Sequence, residues 1–346
     1  MKNLYIALAL IMGLLFASCC KNNPQPAPAA PTVYVAGYKQ NSSNTLVATV
    51  WKNGVATSLT DGIIAGNAVS MFVSGTDVYA TGWKYNGSFS VATVWKNGVA
   101  TSLTDGTYDA FPYSIYVNGS DVYVTGYVQK KIGINLVSTA ILWKNGVATN
   151  LTGGTVDDGG SATGVYVNGA DVYVAGNDYG AGKAILWKNG VATDLTVGTN
   201  QDNPESVFVN GADTYVVGYE TNAAGDNNAI AKIWKNGVAS NLTDGTYPAN
   251  ANSVFVKGTD VYVAGSEQNS DGFGIAKIWK NGVATSLTDG TKQCVAWSVK
   301  TYGSDVYVVG GELNGNITTV KLWKNGVATN ITDGTHDANA YTIMVK

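Results

Sequence analysis

Few side chains in this 346-residue sequence could move protons or attack an electrophile. There is one histidine, His336, and only one cysteine beyond residue 20, Cys294. A Ser-His-Asp relay would have to run through His336 with Asp337 beside it, and adjacent side chains rarely converge on one point. Cys294 with His336 is the other nucleophile–base pairing on offer, although Cys294 reads more simply as a small apolar loop residue. A lone histidine cannot form a histidine cluster for a metal, and the acidic oxygens are too scattered for a calcium cage. Hydrolysis of a glycosidic bond needs two carboxylates roughly 5–10 Å apart, and Glu205 with Asp157, Asp158 or Asp202 is the available set. Nothing calls for a cofactor. The inventory predicts a chain that is not itself an enzyme.

Charge is sparse, with 13% charged residues, a net charge of −3 and no arginine. Nucleic-acid binding needs a clustered basic surface and favours bidentate arginine, so nucleic acid is excluded as a partner.

The elements that must position these residues are repeats. Trp-Lys-Asn-Gly-Val-Ala occurs seven times, starting at Trp51, Trp95, Trp143, Trp187, Trp234, Trp279 and Trp323, at spacings of 44, 48, 44, 47, 45 and 44 residues. Between copies a second phrase recurs, as in Ser253-Val-Phe-Val-Lys-Gly-Thr-Asp-Val-Tyr-Val-Ala-Gly265. A period near 45 built only of strand signals predicts one four-stranded propeller blade per repeat. In the unit around Trp279, strand A is expected at Ser253–Val256, strand B at Asp260–Gly265, strand C at Ile275–Lys280 and strand D at Val283–Thr288. Asn281-Gly282 suits the two positive φ angles of a type I′ turn. No segment shows a 3.6-residue apolar period, so no helix is expected.

The body opens on Thr32-Val-Tyr-Val-Ala-Gly37, a strand B with no strand A before it. It closes on Tyr341-Thr-Ile-Met-Val-Lys346, a strand A with nothing after it. Joined, they complete a seventh blade, shared between residues 32–62 and 341–346, and close the ring without exposed edges. The expected fold is therefore an all-β, seven-bladed propeller of four-stranded antiparallel blades over residues 32–346. An open solenoid has no reason to share one unit between its termini.

Two resemblances follow. The layout over residues 32–346, with one tryptophan per blade and the strand Asp305-Val-Tyr-Val-Val-Gly-Gly311, resembles kelch-type propellers. Lys2, the apolar run Leu4–Phe16 and then Ala17-Ser18-Cys19 resemble the signal peptide and lipobox of bacterial lipoproteins. That resemblance implies a signal peptide at 1–18, cleavage before Cys19 and lipidation of Cys19. Residues 19–31, with four prolines among Lys21–Pro31, would form an extended tether. The implied location is the cell envelope, at the outer membrane, held by lipid alone. The body is expected to be a monomer.

With strands ordered A to D outward from the axis, A–B and C–D turns share one face, and B–C and D–A loops the other. The turns are nearly invariant within the chain; the loops carry the differences. All four glutamates, Glu205, Glu220, Glu267 and Glu312, fall on the variable face, as do Trp83, Trp297, His336 and Cys294. The residue before the inner-strand Ser or Thr, which is Gly164 in one repeat, should ring the mouth of the axial channel: Val69, Tyr113, Thr163, Glu205, Asn252, Trp297 and Tyr341. Tyr113, Glu205, Asn252, Trp297, Tyr341 and Trp83 are the candidate ligand-binding residues, since rings stack while amides and carboxylates fix orientation. The functional expectation is a non-catalytic binding module for a glycan, peptide or protein on this face. The alternatives are a structural subunit of an envelope assembly and a glycan-active enzyme using channel-mouth carboxylates.

Overall fold

The computed structural model describes residues 30–156, 158–196, 201–221 and 228–346. The expected signal peptide, Cys19, the tether up to residue 29 and Asp157 lie outside the described residues. From Pro31 to Lys346 the chain is one unit.

Twenty-eight strands and no helix occur among the described residues. The chain opens with β1 (Val33–Gln40), β2 (Leu46–Lys52) and β3 (Val55–Ser58). Six complete blades follow. The first is β4 (Gly66–Ser74), β5 (Asp77–Tyr85), β6 (Ser90–Lys96) and β7 (Val99–Ser102). The second is β8 (Asp109–Asn118), β9 (Asp121–Ile132), β10 (Asn135–Lys144) and β11 (Val147–Asn150). The third is β12 (Gly160–Asn168), β13 (Asp171–Asp178), β14 (Lys183–Lys188) and β15 (Val191–Asp194). The fourth is β16 (Gln201–Asn210), β17 (Asp213–Thr221), β18 (Ala229–Lys235) and β19 (Val238–Asn241). The fifth is β20 (Ala249–Lys257), β21 (Asp260–Gln268), β22 (Gly274–Lys280) and β23 (Val283–Ser286). The sixth is β24 (Cys294–Tyr302), β25 (Asp305–Asn314), β26 (Ile317–Lys324) and β27 (Val327–Asn330), and the chain ends with β28 (Ala338–Val345).

Each blade is an antiparallel sheet in chain order, and the seventh has the order β28-β1-β2-β3. The terminal strands pair with Val35 opposite Ile343. The all-β, seven-bladed closed ring is thus the observed fold.

Two local devices build every blade. At the C–D turn, Asn takes a positive φ near 50° and the following Gly one near 80°, as at Asn281 (52°) and Gly282 (82°). The same asparagine reaches across to the neighbouring hairpin: Asn281 Oδ1 accepts from Val261 N at 2.8 Å, and Asn281 N donates to Val261 O at 2.8 Å. This clamp repeats in all seven blades, from Asn53 on Val33 to Asn325 on Val306. An unmatched strand-end N–H is thereby satisfied.

The second device is a β-bulge in each inner strand, skipping one residue between Ala251 and Ser253 in β20 and likewise in the other blades. Opposite each bulge stands a strand-B glycine. A Cβ on Gly218 would sit 2.0 Å from Asn203 O, and one on Gly82 1.9 Å from Asn67 O, so only glycine fits. The bulge corrects the expected strand limits. Strand A of the fifth blade runs from Ala249 rather than Ser253, because one inserted residue breaks the alternation that marks a strand. Part of the variable face is also strand: Trp83 lies within β5, and 127–138 is largely the β9–β10 hairpin, turning at Gly133.

Seven apolar clusters lie between neighbouring blades, each holding one repeat tryptophan. Trp143, for example, packs with Tyr79 and Ala92 of the preceding blade, and none of the seven is more than 2% exposed. At ~25 cal/mol per Å² and roughly 150–250 Å² per ring, each contributes about 4–6 kcal/mol of hydrophobic stabilisation.

Candidate functional site

The axial channel is built by the bulges. A bulge re-aims one side chain of its strand, and the seven bulge residues are Val69, Tyr113, Thr163, Glu205, Asn252, Trp297 and Tyr341. All seven line one cavity of ≈ 180 Å³ on the axis, as the sequence placed them. Trp83 does not line it; its ring meets Phe111 edge-on at 6.4 Å, outside the collar.

The upper collar is uneven. Tyr113 packs on Tyr127 at 5.7 Å, and Tyr127 on Phe111 at 5.3 Å. Across the axis Trp297 meets Tyr341 at 5.6 Å, and Tyr341 meets Tyr38 at 6.4 Å. Thr163 and Asn252 act as braces, donating to Pro204 O (2.7 Å) and Ala296 O (3.0 Å) of the next blade. The amide of Asn252 is therefore partly engaged by the fold.

Glu205 differs from the other glutamates. Glu220 pairs with Lys232, Glu267 with Lys277, and Glu312 with Lys321 at 3.2 Å. In each case the lysine sits diagonally opposite on strand C, and only these three blades carry a lysine there. Glu205 has no ion pair or hydrogen bond among the described residues. Loss of water alone pushes its carboxyl up to about 7.

Of the other expected acidic partners, the described Asp202 and Asp158 are engaged elsewhere. Asp202, 3% exposed, lies beside Lys232 (3.9 Å) and Glu220, and its burial is the main cause pushing its carboxyl up to about 6. Asp158 accepts from Gly153 N at 2.9 Å within its own loop. The expected carboxylate pair for glycoside hydrolysis does not assemble from these residues. His336 and Asp337 also diverge: His336 Nδ1 meets Thr335 Oγ1 at 3.0 Å, while Asp337 holds Tyr38 Oη (2.8 Å) and Thr318 N (2.7 Å). Cys294 is buried beside Glu312, and burial is the main cause pushing its thiol up to about 12.

A second collar escaped the sequence reading. Three residues beyond each bulge stand Phe72, Tyr116, Tyr166, Phe208, Phe255, Lys300 and Met344, and all but Phe255 line the same cavity nearer the constant face. The first five stack around the axis with centroids 4.8, 4.9, 4.7 and 5.2 Å apart. Lys300 continues the series, its Nζ 4.8 Å from the Phe255 ring centroid. The signal was present, since the phrase Ser-Val-Phe-Val carries an aromatic at that place in five repeats. At roughly 3.3 Å per strand residue, the two collars lie about 10 Å apart along the strands. The cavity falls below the ~300–1,000 Å³ of a drug-sized pocket. It accommodates a chain end or a side chain.

No protein-family model matches the chain, and no curated protein matches it. The double glycine that resembles kelch strands stays confined to one blade. Solved structures do resemble it. A puromycin-hydrolyzing peptidase from Mycobacterium tuberculosis has a TM-score of 0.59 at 8% identity over 88% of this chain and 52% of that one. Acylaminoacyl peptidase from Pyrococcus horikoshii gives 0.54 at 13% identity, over 90% of this chain and 52% of that one. The β-propeller domain of the Trilobed protease from Pyrococcus furiosus, described as having an open velcro topology, gives 0.54 at 11% identity, over 89% and 95%. Here, in contrast, β28 is hydrogen-bonded to β1. The chain spans about half the length of the two peptidases. At such identities the likeness establishes the propeller fold. The functional expectation, a non-catalytic binding module for a glycan, peptide or protein on the loop face, is corrected by these neighbours, which are peptidases and the propeller domain of a protease.

Proposed function

We propose that this chain is a peptidase-associated propeller, whose axial channel selects the peptide ends that reach a peptidase unit. The observation that carries this reading is the channel itself: an aromatic upper collar, one unpaired carboxyl at Glu205 and a volume of ≈ 180 Å³ that admits a chain end but no folded segment. The peptidase origin of the similar solved propellers supports it. The nucleophile and base belong to the peptidase unit in this reading, and Cys19 would hold the assembly at the cell envelope through lipid.

The test is labelling of a serine-hydrolase site. The full chain, isolated from its native envelope, is expected to copurify with a protein that reacts with a fluorophosphonate probe. In that complex, replacing Tyr113, Trp297 and Tyr341 together by alanine is expected to let longer peptides be cleaved. If no fluorophosphonate-reactive protein accompanies the chain, or the length limit is unmoved by the triple replacement, the assignment fails.

A further inference from the structure

We propose that Lys300 makes the constant-face end of the axial channel a binding site for a carboxylate, specifically the free C-terminal carboxylate of a short peptide. The inference deepens the reading of the channel given above, and it rests on the geometry of the lower collar.

Five of the seven collar positions are aromatic and one is Met344, so Lys300 is the one charged group in this ring. Its ammonium lies against the face of Phe255, a contact that favours the cation but brings no counter-charge. Among the described residues no carboxylate lies within ion-pair reach of it. Six of the repeat lysines on strand C behave differently: Lys96, Lys144, Lys188, Lys235, Lys280 and Lys324 each pair with an aspartate at 2.8–2.9 Å. Two further unpaired lysines flank Lys300 at the ends of the adjoining inner strands. Lys257 donates to Gly303 O, and Lys346 to Gly75 O at 3.2 Å, both neutral carbonyls. Neither of these lysines lines the cavity, so Lys300 is the cation that faces it, with no anion beside it in the lower collar.

An isolated ammonium among rings is costly unless something compensates it. Burial alone pulls the Lys300 amine down to about 8. A bound carboxylate would form a charge-assisted hydrogen bond and restore the cation. The opposite pole suits the same ligand, because Glu205 at the upper collar is a carboxyl without a cation. The collar spacing of about 10 Å matches three extended residues at ~3.3–3.6 Å each. A tripeptide with both ends free presents the complementary charges in that order.

Trialanine, trialanine amide and inorganic phosphate serve as probes, titrated calorimetrically into the full chain. Trialanine is expected to bind, and its amide about ten- to hundredfold more weakly, the loss of one charged hydrogen bond. Lys300→Met, which copies Met344 of the next blade, should bring both peptides to the same weak affinity, and Lys300→Arg should preserve the difference. Equal affinity of the wild-type chain for trialanine and its amide, or no binding of trialanine, overturns the proposal. Phosphate bound as tightly as trialanine and lost in Lys300→Met overturns the peptide assignment in favour of an unselective anion site. Should Lys300→Met fail to fold, the acid–amide comparison on the wild-type and Lys300→Arg chains decides. The titration needs no peptidase, so its failure leaves the fluorophosphonate test untouched.

Discussion

The two ends of the same seven inner strands obey opposite rules. At the constant face, side chains close the structure: each asparagine of Lys-Asn-Gly ties two hairpins together, offering an acceptor at that reach from a backbone of positive φ that few side chains tolerate. Sequence there is repeated because each blade's hydrogen bonds depend on it. At the bulge end the same backbone is closed by a glycine on strand B and by main-chain pairing. The bulge side chain contributes little to that closure, which is how valine, tyrosine, threonine, glutamate, asparagine and tryptophan all occupy equivalent places. Freedom of side-chain choice is thus separated from blade closure by one inserted residue per blade.

The sharpest way to break this comparison is to exchange glycines. Gly218→Ala would drive a Cβ to within 2.0 Å of Asn203 O, a clash with backbone that cannot rotate away. A loss of about 3 kcal/mol or more in urea unfolding is expected. Gly258→Ala, in an A–B turn at φ +61° with nothing within 4 Å, meets only the dihedral penalty, about 1–2 kcal/mol. Equal losses would mean that close approach is not what fixes the bulge tier.

A smaller effect, of opposite sign, is expected at Glu205. Its carboxyl titrates near 7 in the folded chain against 4.5 unfolded. Between those values the folded chain keeps a proton that the unfolded chain has released, so stability falls as pH rises through the window. Glu205→Gln should remove that fall, giving a variant more stable by on the order of 2 kcal/mol above pH ~7 and indistinguishable below pH ~4. Parallel pH–stability curves for the two chains would show that Glu205 is solvated or partnered. A gain would mark Glu205 as a residue kept against the interest of stability.

Much of this was legible in the sequence because the signals are local. Asn-Gly fixes the C–D turn, the 45-residue period counts the blades, and the orphan strands at Thr32 and Tyr341 close the ring. The bulge residues were placed correctly around the channel, since six of them precede a recurring Ser or Thr and Thr163 holds the equivalent place before Gly164. The bulge itself was not legible: it disrupts alternation at Asn252, and the strand from Ala249 was shortened as a result. The lower collar went unread because a phenylalanine in Ser-Val-Phe-Val looks like ordinary core until the inner strand's lumen side is known. The pairing of Glu220, Glu267 and Glu312 with lysines was hidden by the B–C turns that separate partners adjacent only across the hairpin. The functional context was out of reach, because repeats so alike record little of a ligand.

The least effect is expected where the contacts look most numerous. On the constant face, Lys280 meets Asp260 at 2.8 Å, Asn281 Nδ2 donates to Asp260 Oδ1 at 3.0 Å and Tyr262 Oη lies 3.3 Å from Oδ2. The Lys280 and Asn281 contacts, in that order, hold the Asp260 carboxyl below its ordinary range. Yet the pair is solvent-exposed, where such contacts contribute little and are screened by salt. The molecule already contains the control. Blade seven has Thr32 where six blades have aspartate, and its clamp is unchanged: Val33 N still donates to Asn53 Oδ1 at 2.8 Å, with φ of 51° at Asn53 and 81° at Gly54. Asp260→Thr should therefore leave the urea midpoint where it is, at low salt and high, whereas Asn281→Ala should lower it at both. A clear drop for Asp260→Thr that salt abolishes would mean the aspartates, and not the asparagines, hold the constant face constant.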